Sequence, residues 1–81
     1  MKHELSEQAK ALKHGIYQHY KGGIYQVLGV CRHSETLEEM VVYMPLYGEY
    51  QWWVRPLGMF FDSVENNGEV KNRFNYLGQN H

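Results

Sequence analysis

The sequence has 81 residues, and these include a single cysteine and only two prolines. One cysteine excludes a disulfide within the chain and is typical of proteins from a reducing compartment. No apolar run approaches the roughly 20 residues that a membrane-spanning helix needs, and residues 1–14 lack the apolar core of a secretory signal. The formal net charge is only −1, which provides no general attraction for nucleic acids or acidic membranes. We therefore expect a cytoplasmic protein with no membrane partner.

The sequence also lacks the motifs of common catalytic centres. Its five histidines do not show the spacing of an H-E-x-x-H zinc site, and no second cysteine is present. The glycine pair Gly22-Gly23 lies between two predicted strands, so it is not a phosphate-binding loop that leads into a helix. We predict no metal and no cofactor, and we expect Cys31 to be a small buried apolar residue that reacts slowly with thiol reagents.

Aromatic residues, by contrast, are abundant, with seven Tyr, three Phe and two Trp. A domain of this size buries only about 60% of the surface that its unfolded chain exposes. Each buried ring removes roughly 150–250 Å² from water. We therefore expect most of these rings to stabilise a small core, and the remainder to line a binding site.

Residue patterns predict one short helix followed by strands. Leu5, Ala9 and Leu12 form a narrow apolar stripe in a helix over residues 4–14, with Gly15 as its C-cap. The β-rich segments that follow are 16–20, 24–32, 38–47, 51–55 and 69–77, with a 3₁₀ turn at 57–61 and an extended segment at 62–66. Gly22-Gly23 and Asn67-Gly68 predict tight hairpin turns, and Gly29 predicts a bulge or bend within its strand.

These elements favour a mainly β fold, a small SH3-like (Tudor-like) partly open β-barrel of five or six strands with a short N-terminal helix. The expected organisation is a helical segment at 1–14, a single barrel domain at 15–77 and a tail at 78–81. The Tudor-like comparison depends on the rhythm of aromatic and β-branched residues, which is an analogy of shape.

Short motifs in a fixed order resemble a known family. They are His-Tyr-Lys-Gly at 19–22, Arg-His-Ser-Glu-Thr-x-Glu at 32–38, Val-Val-Tyr at 41–43, Leu-Tyr-Gly at 46–48, Trp-Val-Arg-Pro at 53–56 and Met-Phe at 59–60. In this order they resemble the small bacterial domain-of-unknown-function family numbered 1653, over residues 15–64. The resemblance implies a compact single domain, and it implies no activity, substrate or catalytic residue.

The densest polar cluster is the loop at 32–38, which supplies the candidate ligand contacts Arg32, His33, Ser34, Glu35 and Glu38. In one interpretation Arg32 binds an anion while His33 and Glu35 act as an acid–base pair. In the other, the loop is a turn in which the hydroxyls of Ser34 and Thr36 cap backbone amides and the carboxylates are solvated.

A second group of candidates is aromatic and basic, and its members are His19, Tyr20, Tyr47, Trp53 and Arg55, with Tyr50 at the neighbouring turn. Trp53 and Arg55 lie two residues apart and share one face of a strand. A guanidinium stacked on an indole can hold a planar or anionic group. His19 is more consistent with a structural histidine than with a ligand contact. We predict that Arg55 pairs with Glu35 or Glu38, which leaves Trp53 as the stacking wall.

Three functions are consistent with these features. The first is a binding module, without catalysis, whose aromatic and arginine groove recognises a peptide, a nucleotide or a short single-stranded nucleic acid. The second is a small enzyme or small-molecule sensor that uses His33 and Glu35. The third is an accessory subunit whose exposed rings contact a partner protein.

Overall fold

The computed structural model describes residues 4–49 and 51–79, and its elements in chain order are mostly strands. They are α1 (Glu7–Ala11), β1 (Gly15–His19), β2 (Ile24–Arg32), β3 (Glu39–Pro45), β4 (Trp53–Pro56), α2 (Leu57–Phe60), β5 (Ser63–Asn66), β6 (Glu69–Asn72) and β7 (Phe74–Gly78). The prediction of a mainly β chain with a short N-terminal helix is confirmed. Where a 3₁₀ turn was expected, α2 forms a single helical turn.

Five strands form one antiparallel sheet in the order β4-β3-β2-β1-β7, and β5 and β6 form a separate hairpin. Among the described residues no pairing joins the edge strands β4 and β7, so the sheet is open and a closed barrel is not present. The β5–β6 hairpin turns at Asn67 and Gly68, which both have positive φ (55° and 81°). These angles are those that a tight two-residue hairpin turn requires.

Strand β2 contains a bulge, as its central glycine predicted. Opposite β3, the register pairs Val27 with Tyr43, then Gly29 with Val42, and Val30 with Val41. Leu28 is therefore an extra residue without a partner, and the alternation of side chains reverses after it. We call the face that carries Val27, Val41 and Tyr43 the inner face. The reversal brings Val30 to this face, where it packs against the core.

The same reversal corrects the expectation for Cys31. Regular alternation from Val27 would place Cys31 on the inner face, but the bulge moves it to the outer face opposite Met40. There the residue is half-buried rather than buried. A half-buried thiol is within reach of reagents more readily than the sequence suggested.

The core lies between the inner face and the two helices. Its buried members are Ala9, Leu12, Tyr17, Val27, Val41, Tyr43, Leu57, Phe60 and Phe74. The rings of Phe60 and Phe74 stack in parallel at 4.3 Å between centroids, and Phe60 is only 2% exposed. Burial of one such side chain contributes about 1.5–3 kcal/mol. The stacked pair therefore packs the C-terminal strand β7 against α2.

Helix α1 is shorter than the predicted 4–14. It begins after Ser6, whose hydroxyl accepts a hydrogen bond from the amide of Ala9 at 3.1 Å, as an N-cap does. It ends at Leu12, whose backbone is extended (φ −64°, ψ 121°). The extended backbone lets Leu12 bury its side chain in the core, and Gly15 then opens β1 instead of capping the helix.

The predicted strand at 69–77 is also wrong in one respect, because Arg73 divides it. The segment before Arg73 pairs with β5 as β6, and the segment after it pairs with β1 as β7. The amide of Arg73 donates instead to the carbonyl of Asp62 at 2.9 Å. This change of hydrogen-bond partner separates the β5–β6 hairpin from the five-stranded sheet.

Candidate functional site

An aromatic pocket of about 300 Å³ lies on the inner face, where β2 begins and β3 ends. Its lining residues are Tyr25, Tyr43, Pro45, Tyr47, Trp53 and Arg55. The strand register brings these lining residues together, because Tyr25 lies opposite Pro45 and Tyr43 lies opposite Trp53. Side chains at paired positions project from the same face of a sheet. The predicted candidates Tyr47, Trp53 and Arg55 are thus brought together.

Tyrosine rings form one wall of the aromatic pocket. The hydroxyl oxygens of Tyr25 and Tyr47 lie 3.0 Å apart in a hydrogen bond, and the Tyr25 ring meets the Tyr43 ring edge to face at 5.4 Å. The hydrogen bond with Tyr47, together with burial, raises the pKa of Tyr25 to about 12. Tyr25 is therefore protonated at neutral pH and offers a hydroxyl group rather than a charge.

Arg55 supplies the positive charge of the aromatic pocket. Its Nε donates a hydrogen bond to the hydroxyl of Tyr43 at 3.3 Å, and its guanidinium carbon lies 5.7 Å from the centre of the Phe74 ring. In residues 4–49 and 51–79, no carboxylate forms an ion pair with it. The pocket thus contains an arginine whose charge no side chain of these described residues neutralises.

The prediction that Arg55 pairs with Glu35 or Glu38 is therefore wrong. Residue 55 lies opposite Val41 on β3, and its side chain is directed along the inner face to Tyr43. Glu35 and Glu38 belong to the loop that precedes β3, whereas the aromatic pocket lies where β3 ends. Both carboxylates are exposed. The strand alternation placed Arg55 and Trp53 on one face correctly, but it did not indicate toward which end the arginine extends.

His19 lies beside the aromatic pocket without lining it. Its ring centroid is 4.9 Å from that of Phe74 and 6.3 Å from that of Tyr25. Its Nδ1 accepts a hydrogen bond from the amide of Lys21 at 3.2 Å. Burial lowers the pKa of His19, and the charges of Arg55, Arg73 and Lys21 lower it further. The imidazole is neutral at pH 7 in a positively charged neighbourhood.

Tyr20, a further aromatic candidate, does not line the aromatic pocket. Tyr20 packs its ring against His19 at 4.6 Å and receives the ammonium group of Lys21 at 5.8 Å from its ring centre. The ammonium group of Lys21 therefore adds positive charge at this end of the sheet. Tyr50 lies outside the described residues.

The polar loop at 32–38 lies at the opposite end of the inner face. Tyr25 and Arg32 are seven positions apart on β2, or about 23 Å at ~3.3 Å per residue. Within the loop, His33 Nδ1 accepts from the amides of Glu35 and Thr36 at 3.1 and 3.3 Å, and the Thr36 hydroxyl accepts from the amide of Glu38 at 3.2 Å. The geometry is that of a capped turn, in which the histidine takes the role expected of Ser34.

Arg32 holds the N-terminal segment against the sheet. Its guanidinium donates to the carbonyls of Leu37 at 2.7 Å and Glu4 at 2.6 Å, and it lies 3.6 Å from the carboxylate of Glu39. That carboxylate also accepts hydrogen bonds from the amide and hydroxyl of Ser6. The hydrogen bonds from Ser6 lower the pKa of Glu39, with a smaller contribution from Arg32. The predicted anion contact is thus occupied by contacts within the chain.

Sequence reasoning missed Tyr25, Tyr43 and Pro45 as lining residues of the aromatic pocket. The structure places the Tyr43 ring in the core and packs the Tyr25 ring against it. The signal that identifies them is their register opposite Pro45 and Trp53, which the sequence does not reveal without the pairing of the strands.

No group of three His, Cys, Asp or Glu side chains in residues 4–49 and 51–79 could hold a metal ion. Neither helix in this part of the chain is long and apolar enough to cross a membrane.

Comparison with protein families identifies the chain. Residues 15–76 match the model of the family described as a protein of unknown function, DUF1653. The chain belongs to this family. The resemblance inferred from the motifs at 19–60 is therefore confirmed. No curated protein sequence matches this member of the family significantly.

A solved structure from the same family supports the fold. A crystal structure of a DUF1653 protein from Bordetella bronchiseptica superposes with a TM-score of 0.81 at 34% sequence identity. The aligned region covers 88% of this chain and 94% of that chain. Because the alignment spans nearly the whole of both chains, the two proteins share one overall fold.

Proposed function

We propose that this DUF1653 protein is a binding module that captures a nucleotide unit, free or within a single strand, in the aromatic pocket. The observation that carries the proposal is Arg55, a guanidinium without an ion-pair partner in the described residues, set among aromatic rings. Arginine binds phosphate oxygens through paired hydrogen bonds. Aromatic rings stack on any nucleobase.

The charge of the pocket argues against a cationic ligand. Aromatic cages can bind methylated lysine through the faces of their rings. Here the guanidinium of Arg55 would repel such a cation, and the field that Arg55, Arg73 and Lys21 exert on His19 has the same sign. A ligand with a planar group and a negative charge is compatible with both features.

The size of the pocket suits one nucleotide unit. Its volume of about 300 Å³ is at the lower end of the ~300–1,000 Å³ range of small-molecule pockets. Trp53 is 54% exposed, so part of its ring remains accessible for stacking. A longer peptide would have to extend beyond these residues along the sheet edge.

Titration of the full chain with mononucleotides and the matching nucleosides tests the proposal. Binding is measured by calorimetry and located by NMR shift perturbation. We expect nucleotides to bind at Tyr47, Trp53 and Arg55, and nucleosides to bind at least tenfold more weakly because they lack the phosphate. Arg55→Met keeps the unbranched stem and should reduce nucleotide affinity to that of the nucleoside.

Trp52 and Trp53 provide a matched pair of variants. Trp52 is 71% exposed and does not line the aromatic pocket. Trp53→Ala should weaken nucleotide binding about tenfold, as expected for loss of one stacking partner, whereas Trp52→Ala should leave it unchanged. Equal effects of the two variants, or binding of peptides but not nucleotides in this pocket, would refute the proposal.

A role as an accessory subunit is the second candidate. It is favoured by the exposure of Val54 on the edge strand β4 (55%) and of Trp52, which directly precedes β4 (71%). An exposed apolar edge strand is a typical contact for another protein. Analytical ultracentrifugation that finds self-association lost in Trp52→Glu, but retained in Trp53→Ala, would support this role over ligand binding.

A strand that bends at a central glycine is typical of SH3-like sheets, and β2 bulges at Gly29, so we propose that the open sheet is an SH3-like variant. Superposition on closed SH3-like barrels that leaves β1–β4 out of register would contradict it. The lone Cys31 supports a cytoplasmic location, which fractionation of the source cells would test.

A further inference from the structure

A second cavity of about 330 Å³ adjoins the aromatic pocket. The two cavities share Pro45, Tyr47 and Trp53 as lining residues. Tyr47 and Trp53 therefore form a common wall, and a planar group in either cavity would have an aromatic ring beside it. The two cavities are neighbouring compartments of one groove along the end of the sheet.

The polar groups of the second cavity are different from those of the aromatic pocket. Its other lining residues are Gly48, Glu49 and Gln51, so a carboxylate stands where the first cavity has a guanidinium. The side-chain amide of Gln51 donates to the carboxylate of Glu49 at 3.2 Å. An ionised carboxylate accepts hydrogen bonds and donates none. This cavity therefore suits a neutral group that carries N–H donors, and it disfavours phosphate.

We infer that the second cavity binds a second nucleobase, adjacent in the strand to the one in the aromatic pocket, and that this base is guanine. The inference rests on the proposed function. Guanine places the N1–H and N2–H donors side by side, which matches the two oxygens of Glu49. Adenine and cytosine offer one amino group beside an acceptor nitrogen, and uracil and thymine offer one N–H between two carbonyl oxygens.

The opposite charges of the two cavities orient such a ligand. Stacked bases on one strand are ~3.4 Å apart, and an aromatic ring inserted between two bases separates them further. A dinucleotide therefore has the reach to place one base on each side of the wall of Tyr47 and Trp53. Its phosphate then faces Arg55, and the guanine edge faces Glu49.

Calorimetric titration of the full chain with GMP, TMP, d(TpG), d(GpT), d(TpT) and the inosine forms d(TpI) and d(IpT) tests the inference. Inosine lacks the N2 amino group of guanine and is otherwise the same. We expect the better of d(TpG) and d(GpT) to bind at least tenfold tighter than either mononucleotide, and at least fivefold tighter than d(TpT) and its own inosine form.

Glu49→Gln removes the charge at the second cavity and should abolish the preference for guanine over inosine. Because loss of a negative charge can tighten binding of every anion, the ratio between the guanine and inosine ligands is the quantity compared. Glu65→Gln is the control, since Glu65 is an exposed carboxylate on β5 that lines neither cavity. Thermal unfolding of each variant verifies that it is folded.

The outcomes separate this inference from the proposed function. If mononucleotides bind in an Arg55-dependent way but dinucleotides bind no tighter, the second base site is refuted and the proposed function stands. If guanine and inosine ligands bind equally to the unmodified protein, or if Glu49→Gln keeps the preference, the assignment of guanine is refuted. If neither mononucleotides nor dinucleotides bind, both proposals fail.

Discussion

Replacement of Gly15 by alanine should destabilise the protein far more than a typical surface substitution. Gly15 has a φ of +138°, and a Cβ atom at this position would lie 2.5 Å from the carbonyl oxygen of Gly78 and 2.9 Å from the Cα of Gln79. Both atoms belong to the backbone, so no side-chain rotation can relieve the contact. The end of β7 would have to move away from β1.

The magnitude follows from two separate costs. A non-glycine residue in a sparsely populated backbone conformation costs about 1–3 kcal/mol, and insertion of an atom into a packed site costs about 1–3 kcal/mol more. We therefore expect Gly15→Ala to lower the free energy of unfolding by about 4 kcal/mol. A chain of this length is stable by only about 4–12 kcal/mol, at ~0.05–0.15 kcal/mol per residue.

Gly22→Ala isolates the first cost, that of the backbone conformation. Gly22 also has a positive φ, +105°, but a Cβ there would meet no heavy atom within 4 Å. Only the backbone term remains, about 1–3 kcal/mol. Both substitutions reduce the freedom of the unfolded chain by the same amount, so this effect cancels when the two variants are compared.

Urea denaturation monitored by circular dichroism measures both values. For small proteins the free energy falls by about 1–3 kcal/mol per molar urea, so a 4 kcal/mol loss shifts the midpoint by well over 1 M. If Gly15→Ala is no less stable than Gly22→Ala, the close approach of β1 and the end of β7 is not as described.

Three further predictions concern hydrogen bonds and titrating groups. Tyr47→Phe should lower the pKa of Tyr25 from about 12, as measured by phenolate absorbance. The raised pKa of Tyr25 adds stability that is lost as the pH rises from 10 toward 12. The variant should therefore lose less stability than the unmodified protein over that interval. His19→Gln should reduce the loss of stability on acidification below pH 6.5. Because the pKa of His19 is lowered in the folded protein, the unfolded chain takes up the proton first. A pH profile of thermal unfolding that is unchanged in the variant would contradict this. Ser6→Ala removes the hydroxyl contacts to Glu39 and to the amide of Ala9. Amide hydrogen exchange should therefore accelerate in α1 and not in β2. Equal exchange rates of α1 in Ser6→Ala and in the unmodified protein would show that the helix is held by packing alone.

Local chemistry made much of the fold predictable. The bounds of β2, residues 24–32, follow from a continuous apolar segment between a glycine pair and a polar loop, and the structure has the same bounds. The turn at Asn67-Gly68 follows from residues that tolerate positive φ. These features depend on neighbours in sequence, which the sequence displays directly.

Features that depend on distant residues were less accessible. Gly29 predicted a bulge, but which face each later residue takes depends on where the extra residue stands in the register opposite β3. The direction of the Arg55 side chain depends on Tyr43, a residue of another strand. The role of His33 as a turn acceptor needs only local contacts, yet a histidine beside a carboxylate matches a catalytic pair equally well.

The bulge of β2 also determines that residues near both ends of this strand project from the inner face. Counted from Tyr25 in regular alternation, Arg32 would emerge on the outer face, away from the helix that it now holds through Glu4 and Glu39. One unpaired residue, Leu28, changes the parity of the strand, so that Tyr25 and Arg32 both project inward. Deletion of that residue would leave the length of the hairpin almost unchanged and would detach either the pocket wall or the N-terminal helix from the inner face. Insertions and deletions in this strand should therefore be tolerated only in pairs.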